Sequence, residues 1–138
     1  MRHVDRALYE QESVLVPRKG TLNNVMYVNE PFWSVDTMFF TKMKRQNVAK
    51  FVFHFLKGKD LASMNAGSAV PSMTTKILNA IPLQIPDDQM LSTFEAQVSP
   101  FYQTASYNNK ESENLAAIRD SLLPKLMSGE IDVSDIDL

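Results

Sequence analysis

Cysteine is absent from the 138 residues. That excludes disulfide staples and thiolate metal sites, and it fits a reducing cytoplasm. Histidine is scarce: His3 and His54 are the only two, and neither has a second ligand at helical spacing from which a metal site could be built. The four glycines form no phosphate-cradling loop. No run of about 18 apolar residues occurs, so no membrane span is expected. Met1 to Glu12 is charged throughout and lacks the apolar stretch of a secretory signal. Asp87-Asp88 resembles a nuclease carboxylate pair only superficially, because adjacent helical residues point apart and helix capping accounts for Asp87 more simply. The expectation is a chain with no catalytic site, no metal and no cofactor of its own.

What is present divides in two. The apolar fraction of 44% is ordinary for a globular chain, and the length suits one domain with an appendage. The net charge of −2 conceals a polar split. Met1 to Pro86 holds eleven Lys and Arg against six Asp and Glu, a balance of +5; Asp87 to Leu138 holds three against ten, a balance of −7. The first part can face a polyanion, and the second would be repelled by one.

The first part reads as mixed α and β. Ser13 to Val16 is a short apolar run stopped by Pro17, and Arg18-Lys19-Gly20 reads as a turn. Val25 to Val28 and Thr37 to Thr41 are further strand candidates, rich in β-formers. Asn47 is placed to cap a helix over Val48 to Leu56. A short helix is expected within Gly58 to Met64, and Asn65 to Ser68 breaks it. Ile81 to Pro86 is extended, because each proline disfavours helix at the residue before it.

The second part reads as one long helix, with Asp87 as N-cap and Gly129 as the residue that ends it. A 4-3 spacing runs through Phe94, Val98, Phe101, Ala105, Asn108, Ser112, Leu115, Arg119, Leu122 and Leu126, apolar at seven of the ten positions and polar at its centre. This is a coiled-coil-like seam, roughly 60 Å long at about 1.5 Å per residue. Pro100 is expected to kink the helix or split it. The acidic tail follows from Glu130 to Leu138.

Read in order, several segments resemble the DNA-sequence specificity subunit of type I restriction-modification systems. Val14-Leu15-Val16-Pro17-Arg18-Lys19-Gly20-Thr21 is similar to a strand and turn of that family's target recognition domain, and Phe32 to Thr37 to the segment after it. The loop Gly67-Ser68-Ala69-Val70-Pro71-Ser72 is the most specific match. Ile81 to Pro86 then leads into the helix, and Glu113-Asn114-Leu115 and Leu122 to Ile131 resemble the helix end that closes such subunits. A full member has two recognition domains and two long helices, whereas this chain has one helix and the later portion of one domain.

The resemblance implies an α+β fold: a partial target recognition domain over residues 1–86, a dimerisation or docking helix over 87–129 and an acidic tail over 130–138. It implies a cytoplasmic, non-catalytic protein that binds double-stranded DNA and docks methyltransferase subunits, with a motor-nuclease subunit as a further partner. The candidate DNA contacts are Arg18, Lys19, Lys42, Lys44, Arg45, Ser68, Ser72 and Lys76, since Lys, Arg and short polar groups serve phosphate contact and base readout. Trp33, Phe39 and Phe40 are read as core packing in preference to base stacking. The seam Phe94, Val98, Phe101, Leu115, Leu122 and Leu126 is the candidate interface for a homodimer or for pairing with another specificity subunit. The alternative is a pure interaction protein that pairs through the helix and no longer reads DNA. A third reading, a recognition segment of a fused restriction-methylation enzyme, needs a catalytic domain upstream.

Overall fold

The computed structural model describes residues 7–66, 69–132 and 134. Its elements, in chain order, are β1 (Ser13–Pro17), β2 (Met26–Val28), β3 (Met38–Phe40), α1 (Ala49–Lys57), a single 3-10 turn (Leu61–Met64), α2 (Thr75–Ala80) and α3 (Asp88–Met127). The α+β expectation holds. The three strands form one antiparallel sheet in the order β2-β1-β3, with Val14 opposite Tyr27 and Val16 opposite Phe39. All five residues of β1 are buried, as a central strand covered on both faces should be.

Alternation along β1 sorts its two faces. Val14 and Val16 join Leu22, Val25, Leu61 and Met73 in the core, and Phe39, Val52, Phe53 and Leu56 pack around them. On the other face Phe40 meets Tyr9 and Phe32, with ring centroids 5.5 and 6.0 Å away. Tyr9 and Phe32 also form a backbone bridge. Two of the three aromatics expected in the core are thus packed, whereas Trp33 is 54% exposed.

Two local expectations are corrected. Asn47 does not cap α1: the N-cap is Val48, with no side-chain cap bond. Asn47 instead takes φ +58°, the left-handed region that Asn tolerates better than other side-chain-bearing residues. Pro100 does not split the long helix, because α3 runs unbroken from Asp88 to Met127 with Pro100 and Pro124 inside it. The ends of α3 are as the sequence indicates. The Asp87 carboxylate accepts from Met90 N at 2.7 Å, and Gly129 takes φ +75° just beyond the last turn.

The chain divides into two compact units, Met1–Glu95 and Ala96–Leu138. The first contains the sheet, α1, α2 and the opening turns of α3; the second contains the rest of α3. Among the described residues, no helix is long and apolar enough to cross a membrane.

Candidate nucleic-acid interface

β1 ends at Pro17, and the next two residues, Arg18 and Lys19, are exposed. Their backbone remains tied to the sheet. Arg18 N donates to Thr37 O at 2.7 Å, Arg18 O accepts from Met73 N at 2.8 Å, and Gly20 N donates to Pro71 O at 3.0 Å. Lys19 and Ser72 therefore face each other as an antiparallel bridge. The bonds run between the flanking residues, so this is the non-hydrogen-bonded kind of pair, in which side chains lie closest. Gly20 makes the turn at φ +84°, a conformation open to glycine at little cost.

The Arg18 guanidinium lies over the Phe39 ring, 4.9 Å from its centroid. Such stacking holds a long side chain in place while leaving its donors available. Lys76 is exposed on α2, whose start is fixed by Thr74 Oγ1 accepting from Ile77 N at 3.2 Å. Arg18, Lys19 and Ser72 are thus brought together, with Lys76 a few residues along the chain. Ser68 lies outside the described residues.

The other basic residues are elsewhere. Thr41 pairs with the start of β1, its N–H donating to Val14 O at 3.1 Å and its carbonyl accepting from Ser13 Oγ at 2.9 Å. Lys42, Lys44 and Arg45 follow it, so they belong to the opposite end of β1 from Arg18. Lys42 Nζ lies 5.8 Å from the Phe40 centroid, and Lys44 is exposed. Arg45 is already engaged, its guanidinium 2.5 Å from Asp88 Oδ1. An open pocket of about 370 Å³ has Lys42 and Thr75 on its lining, with Phe39, Phe55, Leu78 and Leu83 among its apolar walls. Among the described residues no cluster of His, Asp and Glu is arranged to hold a metal.

The family model for the "Type I restriction modification DNA specificity domain" matches residues 1–115. The chain belongs to that family. Among curated members, the specificity subunit of the type I restriction enzyme HindI from Haemophilus influenzae is 29% identical over 92 residues, 67% of this chain. The specificity subunit of MjaIX from Methanocaldococcus jannaschii is 30% identical over 78 residues, 56% of this chain. In both cases the match covers 18% of the relative, so this specificity-domain chain spans about a fifth of their length.

On the helix, the residues read as one seam fall into two sets. Phe94 is half-buried and packs edge-on against Phe51 and His54 of α1, at 6.4 and 6.1 Å; it serves the core of its own unit. Val98 is half-buried. Phe101, Leu115, Leu122 and Leu126 are exposed, by 74, 59, 42 and 41%. Sequence reading missed Ile118, 53% exposed, by tracing the seam through Arg119. Its spacing from Leu115 and Leu122, i+3 and then i+4, is the signal that places it on their face. Reading by segments also missed α2 and the bond from Ser72 N to the Asn65 side chain at 2.7 Å.

Proposed function

We propose that this chain is a DNA-reading portion of a type I specificity subunit, without catalysis of its own, that contacts duplex DNA through the Arg18-Lys19 turn and the Ser72 segment paired with it. The pairing of Lys19 with Ser72 is the observation that carries the reading. It sets a cation suited to phosphate beside a short hydroxyl suited to a base edge, in a chain whose family is defined by DNA specificity. Lys76 extends this face, and Lys42 and Lys44 form a second contact beyond the far end of β1. Arg45 contributes less, because Asp88 already offsets its charge. The exposed leucines of α3 serve docking, to a second specificity chain or to methyltransferase subunits.

Titrating labelled duplex DNA against the 138-residue chain at several salt concentrations tests the reading. Affinity should fall steeply with salt, and Arg18→Ala with Lys19→Ala should reduce the log–log slope by roughly 2, about one per phosphate contact. Binding that ignores salt, or that survives both substitutions unchanged, overturns it. The exposed apolar residues of α3 favour one second reading, an interaction protein that pairs with intact specificity subunits. That reading gains if the chain binds no DNA and yet associates with such a subunit in a mixing experiment.

A further inference from the structure

Ser72 has two edges. Toward Lys19 it makes no bond of its own, because the ladder bonds run from Gly20 to Pro71 and from Met73 to Arg18. In such a pair the N–H and C=O of each member point outward, away from the other. The outward groups of Ser72 must find partners or water. Its carbonyl accepts from Ala66 N at 2.9 Å. Its N–H donates to the side-chain Oδ1 of Asn65 at 2.7 Å. Asn65 and Ala66 together therefore do the work of a third strand, with an amide side chain supplying the acceptor.

The anchor beneath Asn65 is firm. Leu61, in the 3-10 turn just before it, is fully buried in the core. Ala62 N donates to Asn23 Oδ1 at 3.0 Å, Asn23 Nδ2 donates to Asp60 Oδ1 at 3.2 Å, and Asp60 caps the turn. A chain of fixed contacts thus leads from the core through Leu61 and Asn65 to Ser72, and across the bridge to Lys19.

The geometry points to Asn65 as a positioning residue for DNA recognition: it holds Ser72 and Lys19 side by side and takes no part in the contact itself. This inference rests on the reading of that turn as the DNA-contacting face. Nothing in the amide's role requires it to touch DNA, so its loss should reduce discrimination between sequences more than overall attraction. Without its acceptor, Ser72 N turns to water and the segment loses its outer edge. The phosphate-facing charges stay, and the non-specific, salt-dependent component of binding stays with them.

The test uses the 138-residue chain, a pool of short duplexes from which its preferred sequence is selected, and a shuffled duplex of the same composition. The readouts are the ratio of the two affinities, the salt slope and the thermal midpoint. Asn65→Ala should lower the ratio by roughly tenfold, the scale of one hydrogen bond of this kind, and leave the salt slope unchanged. Asn65→Asp keeps an acceptor oxygen and should preserve the ratio, although its negative charge lowers both affinities. Asn65→Ala combined with Ser72→Ala should lower the ratio by less than the sum of the two, because the first acts through the second. An unchanged ratio in Asn65→Ala, with Ser72→Ala still lowering it, overturns the inference and leaves the DNA reading standing. If Asn65→Ala does not fold, Asn65→Asp decides: loss of the ratio at an unchanged thermal midpoint overturns the inference. Arg18→Ala and Lys19→Ala without effect on any DNA binding would instead remove the DNA reading, and the role of Asn65 with it.

Discussion

Lys50 is the least expected side chain of the molecule. On sequence alone a lysine in the first turn of an amphipathic helix belongs to the solvated face. Here its side chain is 7% exposed, and its ammonium sits 2.5 Å from Glu95 Oε1 and 3.5 Å from Glu12 Oε1. The ring of Tyr27 lies 5.3 Å from it, and the Tyr27 hydroxyl donates to Glu12. One cation thus joins the approach to β1, the strand β2, α1 and the opening turns of α3. Removing a buried partner leaves the others desolvated and unmatched, which costs more than the intact pair contributes. Glu95 and Glu12 are 22 and 41% exposed and recover part of the loss through water. Lys50→Ala should therefore destabilise the chain by about 2–3 kcal/mol, read as a lower urea midpoint. Lys50→Met with Glu95→Gln, which removes both charges and keeps the stems, should regain most of that. A midpoint unmoved by Lys50→Ala would show that the ionic hub contributes nothing to folding.

At the level of elements, how much could be read from the sequence depended on how local the signal was. The three strands lie within one or two residues of their expected bounds, because β-branched and aromatic runs closed by Pro17 and Pro31 are local signals. The ends of α3 were legible for the same reason: Asp87 bonds the N–H three residues ahead, and Gly129 takes the positive φ that ends a helix. The failures are of two kinds. α2 has six residues, too few for periodicity to register, and only Thr74 before Ile77 and Leu78 hinted at it. Lys50 and Arg45 depend on carboxylates 45 and 43 residues away, which no window along the chain connects. Of the candidate site, Arg18, Lys19 and Ser72 could be named as candidates from the sequence, but the bridge that makes Lys19 and Ser72 neighbours in space was not legible. Of the two outcomes expected at Pro100, the split does not occur, since a proline can sit in a helix at the cost of one bond. It has no N–H for the carbonyl of Ala96, and its own carbonyl accepts a second donor, Thr104 Oγ1 at 2.9 Å. Pro100→Ala should stabilise this stretch by up to about 3 kcal/mol. Slower amide exchange around residues 96–104 is the expected result, and unchanged exchange would show that the proline is not the weak point of α3.

For the molecule as a whole, two properties of α3 act together. Leu115, Ile118, Leu122 and Leu126 are 59, 53, 42 and 41% exposed and share one face of the helix. A contiguous apolar stripe of this kind marks an interaction surface or an aggregation liability. The same part of the chain carries the −7 balance of residues 87–138, so a partner that meets it must supply apolar contacts and tolerate acidic charge. A second copy of α3 meets the first condition by symmetry, the same patch serving both sides, and pays an electrostatic cost that salt screens. Full burial of each such side chain contributes about 1.5–3 kcal/mol, and four from each copy are enough to offset the loss of freedom on association. If the basic first part binds DNA and α3 self-associates, as proposed, the two respond oppositely to salt: raising salt should weaken DNA binding and strengthen self-association by screening the acidic charge. Sedimentation should show the dimer fraction rising with salt. Leu115→Glu with Leu122→Glu should give a monomer at every salt concentration, with the thermal unfolding of the sheet-containing unit unchanged. A chain that stays monomeric at high micromolar concentration in high salt, and that binds no methyltransferase subunit when mixed with one, would show that the stripe is not a docking surface.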